Sequence, residues 1–367
     1  MQFQGKLLRH GQSVEPSEIL KPSSDQLRNS VTIGLMRVKA TTSGLLFLVS
    51  IVIFGGISEV FGQTKAAIVV LNKNDNDLAI VDPATMKVTG RVPVGEGPHE
   101  VVISEDGRTA FVANYGAQTP GNSLSIIDIA SAKELRRVDL GPLLRPHGIQ
   151  LIGGKLYFTA EVNRAIACYD PASNRVDWIM GTGQNASHMI AGSSDQKAFY
   201  TANIGSDTVT MFRFQSVPPA GSTITQIPVG KQPEAIDLSP DGKEVWIGLN
   251  AENAAEIIDT ATAKSVAKLP LGGRPYRVRF TPDGKTVLNT ILQTKEIVLV
   301  DAASRKEVRR IKLESTPLGV AFSKDGKTAF ITAVQPDVVL RVNLETGEVT
   351  GRVETGKVPD GIAVTGI

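Results

Sequence analysis

The sequence contains a single cysteine, Cys168, in 367 residues. A lone cysteine excludes an internal disulfide framework, a cysteine zinc site and a Cys-x-x-Cys-His haem attachment. Net charge is also nearly absent, because the formal charge is +2 at pH 7 and residues 63–367 carry equal numbers of basic and acidic residues. We therefore expect no nucleic-acid partner and no attraction to an anionic membrane driven by bulk charge.

Familiar catalytic motifs are missing as well. The chain has no Gly-x-Ser-x-Gly elbow and no phosphate-binding loop, which leaves no motif for an α/β-hydrolase or a P-loop enzyme. Histidine is scarce, since residues 63–367 contain only His99, His147 and His188. Any imidazole chemistry therefore depends on these three side chains.

No apolar run reaches the roughly 20 residues that a membrane-spanning helix needs. Met36, Arg37 and Lys39 precede an apolar run over residues 44–57, and small or polar residues follow at Gly62 and Gln63. This order is typical of a secretory signal peptide. We predict a signal peptide over 36–62, a disordered or wrongly started extension over 1–35, and a periplasmic or extracellular domain over 63–367. The alternative is a membrane anchor over 36–62, the one case in which the mature chain has a membrane partner.

The sequence does contain a repeat, whose clearest copy spans residues 95–141. Four short β-branched or apolar runs occur in this copy, separated by turn-forming residues such as Asp106-Gly107 and Ala130-Ser131. A four-stranded meander that recurs every 40–50 residues is the signature of a β-propeller, because one blade cannot bury both faces alone.

Counting the repeats gives the number of blades. Complete units begin near residues 96, 142, 184, 231, 274 and 316, with three strands left before them and one strand left after them. We predict an all-β, seven-bladed propeller of four-stranded antiparallel blades. In the seventh blade the C-terminal strand, residues 361–365, pairs with the N-terminal three strands and closes the ring, which removes open sheet edges.

The second strands of several units end in similar four-residue motifs, namely Phe111-Val-Ala-Asn114, Tyr200-Thr-Ala-Asn203 and Ile247-Gly-Leu-Asn250. Together with the closing Val-Gly pairs, these motifs resemble the YVTN family of seven-bladed β-propeller repeat proteins over about residues 66–367. The resemblance implies an exported protein with the fold predicted above. It specifies no single activity, because similar propellers serve as binding proteins, lactonases, lyases and subunits of redox enzymes.

The start of each innermost strand and the end of each second strand lie at one mouth of the central channel, because the strands of a blade are antiparallel. One residue after the leading proline, or its counterpart, stand His99, His147, His188, Glu234, Tyr276, Leu318 and Asp360. The predicted second-strand ends are Asn114, Glu161, Asn203, Asn250, Leu292, Val334 and Asn72. From these sets we predict a ligand-binding mouth formed by His99, Asn114, Arg145, His147, Glu161, His188, Asn203, Glu234, Tyr276 and Asp360.

Three histidines at one structural position suggest either a divalent metal or acid–base chemistry. Neutral imidazole and carboxylate suit zinc, copper or iron, so His99, His147 and His188 are the candidate metal ligands. The stretch Pro146-His147-Gly148-Ile149, followed by Glu161, is similar to virginiamycin lyase-like propellers, and that resemblance implies His and Glu at a mouth with magnesium. Only this blade carries the pattern, and loop histidines are also common as hydrogen-bonded turn residues.

Two functions therefore remain open from the sequence. The first is a non-enzymatic exported propeller that binds a small molecule, an envelope component or a protein at the mouth. The second is a small-molecule lyase or lactonase that uses the histidines. We prefer the binding module, because propeller folds support many functions and the sequence contains no recognised catalytic motif.

Overall fold

The computed structural model describes residues 66–218 and 220–366. The predictions for residues 1–62 lie outside these ranges. Within them, no helix has the length and apolar character required to cross a membrane.

The described residues form short strands throughout. In chain order the first fourteen are β1 (Ala67–Asn72), β2 (Asp77–Asp82), β3 (Lys87–Pro93), β4 (Pro98–Ile103), β5 (Thr109–Gly116), β6 (Pro120–Asp128), β7 (Lys133–Asp139), β8 (Pro146–Ile152), β9 (Lys155–Ala160), β10 (Ala165–Asp170), β11 (Arg175–Gly181), β12 (Ser187–Gly192), β13 (Ala198–Asn203) and β14 (Thr208–Phe214). The others are β15 (Ser222–Pro228), β16 (Pro233–Leu238), β17 (Glu244–Leu249), β18 (Ala254–Asp259), β19 (Lys264–Pro270), β20 (Pro275–Phe280), β21 (Thr286–Ile291), β22 (Glu296–Asp301), β23 (Glu307–Lys312), β24 (Thr316–Phe322), β25 (Thr328–Val334), β26 (Val338–Asn343), β27 (Val349–Val353) and β28 (Pro359–Thr365).

These strands pair into seven four-stranded antiparallel sheets, which confirms the predicted seven-bladed propeller. Blades 1 to 6 are consecutive meanders that begin with β4, β8, β12, β16, β20 and β24. Blade 7 has the strand order β28-β1-β2-β3, and Val70 pairs with Ile362 between its two innermost strands. The C-terminal strand therefore closes the ring, as the repeat count predicted.

Burial is greatest in the middle strands of the blades and least in the outer strands at the rim. Every residue of β1 is buried, whereas the outer strand β7 alternates between exposed and partly buried side chains. Apolar residues on the faces of neighbouring blades form shared clusters, such as Val69 and Leu71 of blade 7 with Val101 and Val112 of blade 1. Because each blade buries its faces against the next, the closed ring needs no other core.

Turn chemistry follows the sequence prediction. In the turn after β4, Gly107 has a φ of 72°, and the Asp106 carboxylate accepts a hydrogen bond from the Ser104 hydroxyl at 2.5 Å. In the turn after β6, Asp128 accepts a bond from the backbone N–H of Ser131 at 2.7 Å. These aspartates stabilise turns, because their side chains satisfy nearby backbone and hydroxyl donors.

One irregularity recurs in all seven blades and positions the site. Pairing between the innermost and second strands shifts directly after the leading residue of each inner strand. In blade 1, for example, Pro98 pairs with Asn114 and Glu100 pairs with Ala113, so His99 has no residue opposite it. A bulge of this kind re-aims a side chain that a regular ladder would hold against the sheet face.

Candidate functional site

Each innermost strand starts with a leading proline or its counterpart. The next residue of each blade belongs to a ring at one end of the channel, here called the mouth ring. Its members are His99, His147, His188, Glu234, Tyr276, Leu318 and Asp360, one from each blade in order. Contacts run between neighbouring blades and also skip a blade, since the Tyr276 hydroxyl of blade 5 donates to Asp360 of blade 7 at 3.0 Å. The side chains fill this end of the channel, because Asp360 is fully buried and Leu318 is only 9% exposed.

The three histidines lie side by side. The ring centroids of His99 and His147 are 4.8 Å apart, and those of His147 and His188 are 3.7 Å apart with a 32° tilt. Tyr115 packs over two of them, with centroid distances of 4.6 Å to His99 and 5.2 Å to His147. The guanidinium of Arg145 lies over the Tyr115 ring, 4.5 Å from its centroid, a cation–π contact that joins Arg145 to the cluster.

Burial leaves two imidazoles short of hydrogen bonds. The Nδ1 atoms of His99 and His147 are buried without a hydrogen-bond partner among the described residues, and His147 is only 2% exposed. Burial lowers the pKa of His99 to about 3 and the pKa of His147 well below its ordinary value. Both rings are therefore neutral at pH 7, and each has an unused polar nitrogen.

His188 differs from the other two because a carboxylate orients it. Its Nδ1 lies 2.8 Å from Oε2 of Glu161, whose Oε1 accepts a hydrogen bond from the Tyr115 hydroxyl at 3.0 Å. Burial raises the pKa of Glu161, but the bonds to His188 and Tyr115 outweigh it and hold the pKa below its ordinary value. Nε2 of His188 faces Glu234, with 4.0 Å between that nitrogen and Oε1.

Glu234 is held from two sides. Its Oε2 accepts hydrogen bonds from the Asn250 amide and, at 3.1 Å, from the Arg274 guanidinium. Arg274 is 43% exposed along its side chain, so it lies on the solvent side of the mouth ring. This pair gives the mouth one fixed negative and one accessible positive group.

Asp360 is the carboxylate of the mouth ring with the largest number of polar and charged neighbours among the described residues. Besides Tyr276, it faces Lys73 at 3.7 Å, Nδ1 of His99 at 3.6 Å and Arg277 at 3.7 Å. The distance to His99 is too long for a hydrogen bond. Burial, followed by the charge of Asp360, raises the pKa of Tyr276 well above its ordinary value, so the phenol remains a donor.

A cross-channel ion pair lies directly beneath the mouth ring. Arg277 of blade 5 donates a hydrogen bond to Glu100 of blade 1. Burial raises the pKa of Glu100, although the charge of Arg277 opposes that effect. Burial also disfavours the charge of Arg277, but Glu100, Tyr276 and Asp360 together raise its pKa above the ordinary value. Neither residue belongs to the predicted ligand-binding set, and the structure gives Arg277 an internal partner.

The second layer of the mouth is offset by one residue from part of the predicted set. A residue of this layer follows the second strand, and its backbone N–H donates a hydrogen bond to the carbonyl of the residue before the leading residue. The equivalent residues of four blades are Tyr115, Glu161, Asn250 and Lys73. All four contact the mouth ring. Glu161 and Asn250 were predicted as second-strand ends and lie in this layer, whereas Tyr115 and Lys73 were missed in favour of the preceding residues, Asn114 and Asn72. Aligning the second strands on the leading residue would have found them.

The side-chain amides of Asn114 and Asn203 make hydrogen bonds mainly within their own blades. The Asn114 amide donates to the hydroxyls of Ser123 and Ser125 and accepts from the N–H of Gly95. Asn203 accepts from Ser187 and Thr201 and donates to two further threonines of its sheet. With these bonds both amides are satisfied within the blade, so the structure does not bring them together with the histidines.

The three histidines do not form a coordination set in this arrangement. Among residues 66–218 and 220–366, no group of three or more His, Cys, Asp or Glu side chains is arranged to hold a metal ion. His147 and His188 are stacked, and stacked imidazoles present ring faces to each other while their nitrogen lone pairs lie in the ring planes. Metal binding by His99, His147 and His188 therefore stays a prediction.

Comparison with known proteins supports the fold. The sequence model of the YNCE-like beta-propeller family matches residues 149–326. This match and the seven blades are consistent with the YVTN type of seven-bladed propeller that the repeat motifs resemble. A search of curated proteins finds no match.

Many solved structures are similar in fold. One is a functionally unknown protein from Desulfotomaculum acetoxidans DSM 771, with a TM-score of 0.69 and 15% identity over 82% of this chain and 99% of that chain. A protein from Bacteroides uniformis ATCC 8492, described as a candidate 6-phosphogluconolactonase, has a TM-score of 0.67 and 14% identity over 82% of this chain and 100% of its own. Hydrazine synthase from Kuenenia stuttgartiensis has a TM-score of 0.62 and 20% identity over 79% and 92%. At these identities the likeness is one of fold alone.

Proposed function

We propose that the chain is an exported binding module that recognises a polar ligand or a polar segment of a protein at the mouth ring. One observation carries the proposal: the Nδ1 atoms of His147 and His99, in neighbouring rings, are both buried without a hydrogen-bond partner among the described residues. A buried polar atom without a hydrogen bond is costly, and a ligand that supplies the missing partner recovers that free energy.

The surroundings define what such a ligand carries. Arg145, Arg274 and Lys73 lie partly exposed around the mouth, while Glu161 and Glu234 are fixed acceptors between them. Because the charges alternate, the mouth favours a molecule with both donors and acceptors over a simple anion or cation. Tyr115 adds an aromatic face beside the histidines, which suits the apolar side of a sugar or a peptide side chain.

The test compares thermal stabilisation by a panel of sugars, amino acids and short peptides. A ligand that binds only the folded chain raises the melting temperature. We expect at least one compound to stabilise the parent and an Arg352→Met variant, which changes an exposed side chain on outer strand β27, but not a His147→Phe variant. Equal stabilisation of His147→Phe, or no stabilisation of the parent by any compound, would contradict the proposal.

A second candidate, a lyase or lactonase, is favoured by the contact between His188 and Glu161. An imidazole oriented by a carboxylate at Nδ1 has Nε2 free to accept a proton, which is the arrangement of a general base. The enzymatic alternative predicts turnover of lactone substrates that falls at least about 100-fold in His188→Gln. Turnover that survives in His188→Gln, or none with metal-loaded or metal-free protein, would remove it.

Export is part of the proposal and rests on the signal-like order of residues 36–62. We expect the protein recovered from the envelope fraction of its host to begin close to Gln63. An intact mass that still includes residues 1–60 would contradict cleavage and support the membrane anchor instead.

A further inference from the structure

Beyond the mouth ring, the channel widens into a cavity of about 1020 Å³. Its lining starts at Glu100 and Arg277 and contains no member of the mouth ring. The ion pair between these two residues therefore forms a floor, and the cavity opens at the end of the channel opposite the mouth ring.

The middle of the cavity has two unlike walls. Three residues past the mouth ring, blades 6, 7 and 1 contribute Ala321, Ala363 and Val102, whereas blades 2 and 5 contribute Gln150 and Arg279. The wall is thus apolar on one side and polar on the other. Gln150 is already used, because its side-chain carbonyl accepts the N–H of Gly192 at 2.7 Å.

Four basic residues line this cavity, namely Lys197, Arg213, Arg277 and Arg279. Arg277 is paired with Glu100, and Arg213 donates a hydrogen bond to the Thr260 carbonyl. The side chain of Arg279 is 43% exposed, and its Nε is buried without a hydrogen-bond partner among the described residues. The nearest carboxylate, Asp237, lies 3.8 Å away and accepts the backbone N–H groups of Phe280 and Leu238 at 2.9 and 3.1 Å. Burial raises the pKa of Asp237. Arg279 therefore has donors that the protein itself does not satisfy.

The outer end of the cavity has an apolar arc and a polar arc, because Ser193, Asp195, Lys197 and Asp241 also line it. One residue beyond the level of Arg279, the inner strands contribute Leu238, Phe280, Phe322 and Val364. Arg279 lies next to the apolar arc, and this arrangement fits a molecule with one anionic end and one apolar end, because each end then meets its own kind of surface.

We infer that the open end of the channel binds a monocarboxylate with a short apolar tail. The carboxylate accepts hydrogen bonds from the Arg279 guanidinium, and the tail lies against Val102, Ala321 and Ala363 and passes out between Phe280 and Phe322. An arginine fork matches a carboxylate in geometry and charge. This site is separate from the mouth ring, and the inference does not depend on the function proposed for the mouth.

The experiment is calorimetric titration of residues 63–367 with octanoate, octanol and octyltrimethylammonium. We expect saturable one-to-one binding of octanoate and weaker binding of both other probes. The Arg279→Met variant keeps a flexible apolar stem and removes the charge, and octanoate affinity should fall about tenfold or more with it. An Arg352→Met variant, on outer strand β27 with a 53% exposed side chain, is the matched control and should bind as the parent does.

Three results would overturn the inference: no saturable octanoate binding by the parent, equal octanoate affinity in Arg279→Met and Arg352→Met, or a preference for the trimethylammonium probe. Melting temperatures of both variants establish that they are folded. A His147→Phe variant should retain octanoate binding, which separates this site from the mouth ring.

Discussion

The hydroxyl of Thr159 in blade 2 donates a hydrogen bond to the backbone carbonyl of His188 in blade 3, at 2.6 Å. The same hydroxyl accepts the N–H of Gly148 at 3.0 Å. Blades 5 and 6 repeat this bridge, from Thr290 to the carbonyl of Leu318 and from Thr332 to the carbonyl of Asp360. Members of the mouth ring are thus positioned through the backbone by the second strand of the preceding blade.

Replacing Thr159 with valine tests that bridge. Thr159→Val keeps the shape and leaves two buried backbone groups, the Gly148 N–H and the His188 carbonyl, without their partner. We expect the free energy of unfolding to fall by about 1–3 kcal/mol. Urea denaturation measures it, with Thr225→Val on the exposed outer strand β15 as the control. Equal stability of the two variants would show that the hydroxyl bridge contributes nothing.

The close approach of blades 2 and 3 gives a second prediction. A Cβ added at Gly148 would lie 2.7 Å from the backbone N of Ile190 and 2.8 Å from the carbonyl of His188, so Gly148→Ala must push the blades apart. At Gly181 the nearest atom to an added Cβ is 3.9 Å away. We expect Gly148→Ala to lower the melting temperature and Gly181→Ala to leave it unchanged; a tolerated Gly148→Ala would refute the tight packing.

Acid sensitivity follows from the buried imidazoles. Since the pKa of His99 is about 3 in the folded chain, against about 6.5 when unfolded, the unfolded state binds more protons between these values. Stability is then complete above pH 6.5 and falls as pH drops towards 3, by up to about 1.4 kcal/mol per pH unit for one such group. In urea melts from pH 7 to pH 4, His99→Asn should remove from the pH dependence of the unfolding free energy the contribution of about one proton. An unchanged pH dependence would mean that His99 is not buried in its neutral form.

Closure of the ring can be tested by truncation. Deleting residues 358–367 removes β28, exposes the inner edge of β1 and takes Asp360 out of the mouth ring. We expect loss of the cooperative unfolding transition or aggregation, measured by calorimetry. Deleting only residues 366–367, beyond β28, is the control, and a full-length melting profile for the longer deletion would contradict closure by this strand.

The repeat arithmetic explains why the fold was predictable. Asp-Gly turns and leading prolines recur at fixed spacing, so seven blades, the C-terminal closure and the ring positions of His99, His147 and His188 follow from counting. Such motifs are local, and each blade reproduces them in the same register.

The rest of the site depends on features that local motifs do not carry. The second layer is formed by the residue after the one that pairs with the leading residue, so Tyr115 rather than Asn114 belongs to it in blade 1. The similar Asn-ending motifs drew the prediction to Asn114, and Tyr115 and Lys73 were missed. The ion pair of Glu100 with Arg277 joins residues 177 positions apart across the channel. No repeat pattern specifies such a contact, because it depends on the diameter of the closed ring.

Nitrogen-15 NMR of the histidine rings in residues 63–367 tests most directly whether the three histidines form one buried cluster at the mouth. That chain contains only His99, His147 and His188, so three single His→Gln variants assign every signal. We predict that His99 and His147 keep the shifts of neutral imidazole from pH 8 down to pH 5, and that replacing His147 perturbs the signals of both neighbours. Ordinary titration of His99 and His147 near pH 6.5, with no mutual perturbation, would show that the three histidines do not form one buried cluster at the mouth.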